Sequence, residues 1–335
     1  MSETRLKPIE KIGYGLGDFG SNVVFQTILI LLPAFYTDVF GLAPAAMGTM
    51  FLAVRLLDTV TDPIMGMVAD NTNTRWGKFR PYLLWFAIPF SVIFVLSFIT
   101  PDFSESGKLT YAYITYALLM VLYTVVNIPY CALGGVITSD SQERVSANSY
   151  RFFIATSAGV LISFFGPGLV DRFGDGNQQA GYPYAMAVFA LLAVFAFFGC
   201  FYLTKERVKQ VAPTKGSFAL DFKTLLKNDQ WLVVAALFLV LLIPIVLRGA
   251  SQVYYVKWFM GEPELIAAFL TTGTFCQMIG AGFASTITRK LGKVPAYILV
   301  QAIIVVGSVA LYFVSSSSVW VIFILFGLVN FFVQM

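Results

Sequence analysis

Residues 44–69 read PAAMGTMFLAVRLLDTVTDPIMGMVA, and the length and spacing of this stretch decide the fold. About 20 apolar residues cross a bilayer, so the segment is long enough to span one. Yet Arg55, Asp58 and Asp62 sit in its middle. Offsets of three and four residues put them on one helix face, and Gly66 continues the stripe. A charge at the bilayer centre costs at least ~2.5–3.5 kcal/mol on insertion scales. Three on one face therefore point into a bundle interior or a wet cavity, with Arg55 partly neutralising the acids.

The rest of the chain agrees with a membrane reading. Of its residues 58% are hydrophobic and 12% charged, with a mean hydropathy of +0.78. A soluble domain carries about 25% charged residues, so an all-α polytopic membrane protein is expected. The net charge of +4 reflects topology and does not point to nucleic acid. The chain has no histidine, which removes the commonest base, metal ligand and neutral-pH switch. Cys131, Cys200 and Cys276 lie singly in apolar segments, without metal-like spacing, and no disulfide framework is expected. The polar start MSETRLKPIEK precedes an apolar stretch too long for a cleaved signal.

The same ruler predicts ten spans: 12–38, 44–69, 80–100, 109–136, 146–169, 182–203, 231–258, 264–287, 295–314 and 318–335. Positive charge collects on cytoplasmic loops. On the amino-terminal side fall Arg5, Lys7, Lys11, Arg75, Lys78, Arg80, Arg144, Lys205, Arg207, Lys209, Lys215, Lys223, Lys227, Arg289, Lys290 and Lys293. The other face holds Lys108, Arg172 and Lys257, while Arg55, Arg151 and Arg248 lie within or at the ends of spans. Sixteen against three predicts a cytoplasmic amino terminus. The polar stretch 205–229 is expected as a cytoplasmic linker between a six-helix half (1–204) and an incomplete four-helix half (230–335). A weak repeat crosses that divide, GMVADNTNTRWGKFRP from Gly66 and GAGFASTITRKLGKVP from Gly280. Such symmetry marks transporters built from two repeated halves. A six-plus-six architecture needs two more helices after Met335, so the chain is read as a fragment or a truncated product.

Chemistry concentrates on a few faces. Asp58 and Asp62, with carbonyls freed by Pro63, suit a small cation such as Na⁺, or share a proton, since close carboxylates do not both ionise cheaply. The first span carries Asp18, Ser21, Asn22 and Gln26 on one face; the fourth carries Tyr116, Tyr123, Thr124, Asn127 and Tyr130; the fifth opens with Asn148 and Arg151. Amides, phenols and a guanidinium suit a polyhydroxylated ligand, although interhelical hydrogen bonds use the same residues. The loop from Asp70 to Pro81, with Arg75, Lys78 and Arg80, reads either as a cytoplasmic latch between helices or as a plain positive anchor.

Six stretches, GYGLGDFGSN, FYTDVFGL, RLLDTVTDPIMG, TRWGKFRPYL, YTVVNIPY and YRFF, resemble in order and spacing the glycoside–pentoside–hexuronide:cation symporters of the major facilitator superfamily. The resemblance implies a twelve-helix, two-half carrier working by alternating access, of which this chain holds ten helices. It implies Asp58, Asp62 and Thr124 as cation ligands and Arg151 beside the sugar. It places Asn22, Asn127 and Cys131 at the substrate; the polar faces add Gln26, Tyr123 and Tyr130 there, with Asp18 and Arg55 as charge partners, and the charged loop is expected as a cytoplasmic gate holding Gly66, Asp70, Arg75, Lys78 and Arg80. Melibiose-transporting members have carboxylates in place of Asn22 and Asn127, and a tryptophan in place of Cys131. Amides in place of acids repel an anionic sugar less, and are expected to leave Arg151 free to pair with one. The family's helix 11 lysine lies beyond Met335. The expected activity is cation-coupled (Na⁺ or H⁺) transport of glycosides, pentosides or hexuronides across a bacterial cytoplasmic membrane, without a cofactor, the partners being sugar and surrounding lipid. Alternatives are a lysolipid carrier on the same scaffold and an inactive ten-helix product. An enzyme is disfavoured by the lack of a nucleophile–base pairing, and a receptor by the lack of an output domain.

Overall fold

The computed structural model describes residues 5–208, 224 and 226–335. Among them run ten long helices: α1 (Pro8–Ile30), α2 (Pro44–Asn71), α3 (Arg80–Leu96), α4 (Glu105–Val136), α5 (Ser141–Gly174), α6 (Gln178–Leu203), α7 (Asp229–Tyr254), α8 (Ile266–Leu291), α9 (Lys293–Phe313) and α10 (Val319–Val333). Each coincides with one expected span. The expected linker 205–229 falls largely outside the described residues.

Helix α1 continues past a 44° bend into a short helical segment ending at Val39. Pro33 lies just beyond the bend, and its missing N–H removes one rung of the ladder. With that extension α1 is long and apolar enough to cross a membrane, as are α4, α5, α6, α8 and α9 alone. Helix α2 has the length, at 28 residues, but its charged face lowers its apolar character. Helices α3 and α10 are apolar and shorter. Leu52, Leu56, Phe164, Phe195 and Trp320 are all more than half exposed, as side chains turned to lipid tails must be. The chain is a multi-pass, all-α membrane protein.

Helix α1 packs along α5 and α6, α3 lies between α4 and α6, and α2 rests on α4. One end of this group is closed by an aromatic cluster in which Phe35 meets Tyr36, Phe40, Phe98 and Tyr182 at centroid distances of 4.9–5.8 Å. In the second half α8 packs on α10, which also packs on α9. Phe269 of α8 stacks on Phe326 of α10 at 3.7 Å between centroids. A Cβ on Gly280 would lie 1.8 Å from the Phe331 carbonyl oxygen, so only glycine lets these two helices approach so closely.

The two groups meet where α8 runs antiparallel along α5. Ser149 Oγ accepts from the Ser285 amide (3.1 Å), and Gln142 donates to the Ser285 carbonyl (3.2 Å) and to Thr288 (3.4 Å). Asp140 caps this end of α5 by accepting from the amides of Gln142 and Glu143. Those two backbone bonds, from Glu143 and Gln142, hold the Asp140 carboxyl below the ordinary carboxylate range.

The loop joining α2 to α3 is clasped by a residue that its own sequence does not announce. The Glu206 carboxylate accepts the backbone N–H groups of Lys78 (2.8 Å), Phe79 (2.8 Å) and Arg80 (3.0 Å) at the α3 amino terminus. A carboxylate is favoured there by the free amides and the helix dipole. Arg80 in turn donates to the Phe201 carbonyl and stacks over the Phe201 ring at 4.8 Å. Gly77 adopts φ +111°, and a Cβ there would lie 2.5 Å from the Glu206 carboxyl, so the turn requires glycine twice over. Gly292, its counterpart in the sequence repeat, also has positive φ, +84°. Asp70 and Arg75 are exposed and stand outside the clasp, Arg75 lying over the Trp76 ring at 4.4 Å. Nothing lies within 4 Å of a Cβ placed on Gly66. Each hydrogen bond to a charged group contributes about 1.5–3 kcal/mol. Glu206→Ala is therefore expected to raise tryptic cleavage after Arg75 in detergent-solubilised protein by roughly tenfold, the equivalent of ~1.4 kcal/mol. An unchanged cleavage rate would contradict the clasp.

Candidate functional site

The polar residues separate into two groups. The first joins α2 and α4. Arg55 Nη1 pairs with Asp58 Oδ2 at 3.2 Å, one helical turn apart. Asp62, the next turn along, accepts a hydrogen bond from Thr124 Oγ1 at 2.8 Å. Thr124 is buried on α4. The other Asp58 oxygen, Oδ1, is buried without a hydrogen-bond partner. Leaving a buried charged oxygen unsatisfied costs more than an ordinary hydrogen bond returns, which sets this atom apart from the hydrogen-bonded oxygens around it. Pro63 follows Asp62 inside an unbroken helix and leaves the Thr59 carbonyl without its usual donor. The group offers two carboxylates, a hydroxyl and a backbone carbonyl, all oxygen, as hard cations prefer. Among the described residues no three His, Cys, Asp or Glu gather as they would around a tightly held metal.

The second group lines a cavity of about 500 Å³ between the halves. Asp18, Asn22 and Gln26 come from α1, Arg151, Thr156 and Ser163 from α5, and Thr274 and Gln277 from α8. Spacings of four residues bring the α1 set to one face. Arg151 Nε donates to Asp18 Oδ2 at 2.7 Å, and Asn22 donates to Asp18 Oδ1 at 3.0 Å. Beneath the guanidinium lies the Tyr130 ring, 5.2 Å from it, and Tyr130 stacks on Tyr14 at 5.1 Å. Tyr130 is fully buried, and its hydroxyl donates to the Tyr14 carbonyl at 2.7 Å. It supports Arg151 from below and does not line the cavity. Gln26 extends over Gly159 of α5, where a Cβ would make ordinary contact with its side chain at 3.5 Å.

One expectation changes here. Arg151 is not free to receive an anionic sugar, because Asp18 already meets its charge. Asn22 and Asn127 stand near the pair, but Asp18 remains and takes up the guanidinium. Asn127 and Cys131 stand one turn apart on α4 and contact each other at 3.9 Å, and Cys131 Sγ accepts from Arg151 Nη2 at 3.9 Å. They border the charged pair. Tyr123 packs between Phe25 and Phe90, at 5.6 and 6.2 Å, and is not among the cavity lining. Tyr116 packs on Phe51 at 5.0 Å. Ser21 is turned back on the Gly17 carbonyl.

Sequence reading missed Gln277 and Thr274, which bring the second half into the cavity, and Asn330, which bonds Gln277 at 2.8 Å. The signal available was a lone amide within an apolar run. Asn330 is the single amide in VWVIFILFGLVNFFV.

Comparison with known proteins agrees with this architecture. The sequence model of the MFS/sugar transport protein family matches residues 13–335. The chain is 44% identical over 305 residues to "Inner membrane symporter YicJ" of Escherichia coli, covering 91% of this chain and 66% of that protein. It is 35% identical over 306 residues to the "Isoprimeverose transporter" of Lactiplantibacillus pentosus, covering 90% and 64%. It is 31% identical over 291 residues to the "Glucuronide carrier protein homolog" of E. coli, covering 86% and 63%. The chain thus spans about two thirds of the length of these relatives. Among solved structures, the MFS proton:xylose symporter XylE aligns with a TM-score of 0.59 at 15% identity, over 97% of this chain and 78% of that one, a likeness of fold. This is a family of transporters and not of enzymes. With the family pattern running through both halves of the bundle, the chain belongs to the MFS/sugar transport proteins, among the glycoside–pentoside–hexuronide:cation symporters.

Proposed function

We propose that this protein is a cation-coupled secondary transporter of neutral glycosides or pentosides, with Asp58, Asp62 and Thr124 binding Na⁺ or H⁺ and the α1–α5–α8 cavity binding the sugar. The observation that carries the reading is the buried, unpartnered Oδ1 of Asp58, one turn from the Asp62–Thr124 hydrogen bond. A binding site for a cation that must also be released needs ligands that are only partly satisfied without it.

The Asp18–Arg151 pair supports a neutral cargo over a hexuronide. The guanidinium charge is already balanced at 2.7 Å, so a sugar carboxylate would have to displace Asp18. The amides and hydroxyls of the lining suit sugar hydroxyls and argue against a lysolipid. The halves touch at the Gln142–Ser285 end of the seam, and the cavity lies further along it. Lys11, Arg144 and Lys293 at that end, with the loop-charge asymmetry of the sequence, support reading it as the cytoplasmic side, with the amino terminus in the cytoplasm. The cavity would then be open to the outside of a bacterial cytoplasmic membrane, one of the two states of alternating access.

The test is uptake by reconstituted full-length protein of labelled isoprimeverose, methyl β-xyloside and methyl β-glucuronide, with Na⁺ and pH gradients imposed separately. Accumulation of a neutral glycoside driven by one of the gradients is expected. Accumulation of none, under either gradient, would refute the proposal.

A further inference from the structure

We propose that Gln277 of α8 is a specificity-determining residue, the second half's hydrogen-bond acceptor for one hydroxyl of the substrate, held in that polarity by Asn330 of α10. The inference rests on the reading of the cavity as a sugar site and adds to it which chemical group must face α8.

The polarity follows from a short chain of hydrogen bonds. Asn330 is 1% exposed, and its Nδ2 donates to the Phe326 carbonyl at 2.8 Å. A backbone carbonyl only accepts, so the Asn330 amide cannot be reversed without losing this bond. Its Oδ1 must then face Gln277, and Gln277 must present Nε2 to it, at 2.8 Å. The Gln277 amide is thereby fixed, leaving Oε1 as the end without a partner among the described residues. That oxygen is not among the buried unpartnered atoms, so it is open to the cavity that Gln277 lines. The close approach of α8 and α10 at Gly280 holds both partners on rigid elements.

The position is opposite the α1 and α5 lining. Along the antiparallel seam Ser285 meets Ser149, and Gly282 faces Phe153. Moving eight residues back along α8 from Ser285, about 12 Å at 1.5 Å per residue, brings Gln277 level with Ser157 and Ala158, next to Gly159 and Gln26 of the same cavity. An acceptor-only oxygen at this point favours a hydroxyl, which donates. It disfavours a carboxylate or sulfonate, which offers lone pairs alone. Substrate orientation follows: any charged or acceptor-only group must turn away from α8.

The test uses membranes holding the full-length protein, with labelled isoprimeverose as the probe and its monodeoxy and monodeoxyfluoro analogues as competitors. Gln277→Leu is expected to weaken probe binding about tenfold. For one hydroxyl only, the deoxy analogue loses affinity on the wild type and loses no more on Gln277→Leu. At that same position fluorine, which does not donate, fails to restore affinity. Asn330→Leu frees the Gln277 amide to rotate and is expected to abolish this coupling while membrane expression persists. Losses that add at every hydroxyl, or fluorine restoring affinity at the coupled one, would overturn the assignment. A wild type that binds no member of the series would remove the sugar-site reading, and the inference with it. Normal wild-type binding that Gln277→Leu leaves untouched would remove the inference alone.

Discussion

Replacing Asp62 by asparagine is expected to abolish accumulation of substrate while the protein still reaches the membrane. One elementary charge moving down a 100 mV potential releases ~2.3 kcal/mol, which sustains a concentration ratio of roughly fiftyfold. Without the charge on Asp62 that coupling is lost, and the ratio falls to one. Asp58→Asn should have the same effect, since it removes the carboxylate whose Oδ1 lacks a partner and also strands Arg55. Thr124→Val keeps both acids and removes one hydroxyl, so a weakened apparent cation affinity with residual accumulation is expected. The measurement is steady-state uptake in energised vesicles. Full accumulation by either asparagine variant would show that the α2 acids have a structural role only.

The second large effect concerns the charged pair in the α1–α5–α8 cavity. Asp18 is 6% exposed, and its oxygens are shared between Arg151 and Asn22. Removing one member of a fully buried ion pair costs about 3–5 kcal/mol; Arg151 keeps 19% exposure in the cavity, so a loss below that range is expected. Arg151→Gln and Asp18→Asn should therefore each reduce both the yield of folded protein and its thermal midpoint. Combining them removes both charges, and the double variant is expected to recover most of the stability. It should not recover substrate affinity, because the guanidinium and carboxylate also form a wall of the cavity. Thermal unfolding of the three variants checks the first expectation, and equilibrium binding the second. Additive destabilisation in the double variant would contradict a compensated pair.

Much of the fold was legible because membrane helices announce themselves by hydropathy and loop charge. The expected spans miss by up to five residues at either end: α5 runs on to Gly174, not 169, and α8 to Leu291, not 287. Helix α4 begins at Glu105, not 109, and α5 at Ser141, not 146. Polar residues such as Ser106, Lys108 and Gln142 continue these helices beyond the apolar zone, and a ruler based on apolar length does not register them. The α2 stripe was readable from spacing alone, since all its members are within one helix. The pairings across helices were not. Arg151 and Asp18 are 133 residues apart, and no local pattern shows that Asp18 neutralises the guanidinium. Glu206 closes the α2–α3 loop from 128 residues away. Gln277 and Asn330 are 53 residues apart, in helices read only as apolar. Tyr130 shows the converse: its place on the α4 stripe implied a ligand contact, and packing put it beneath Arg151 instead.

The central claim is that the α2–α4 cation group and the α1–α5–α8 cavity are thermodynamically linked. Tyr123 packs between Phe25 of α1 and Phe90 of α3, next in the chain to Thr124, so α4 carries the hydroxyl of one group and packs against the helix that carries Asp18 of the other. Linkage is reciprocal: a cation that tightens sugar binding must itself be bound more tightly when sugar is present. The direct measurement is the dissociation constant of a transported glycoside, titrated against Na⁺ at fixed pH and against pH without Na⁺. An affinity that rises with one of the two cations in the wild type, and stays flat in Asp62→Asn, is the predicted result. A wild-type affinity that responds to neither cation would contradict the account.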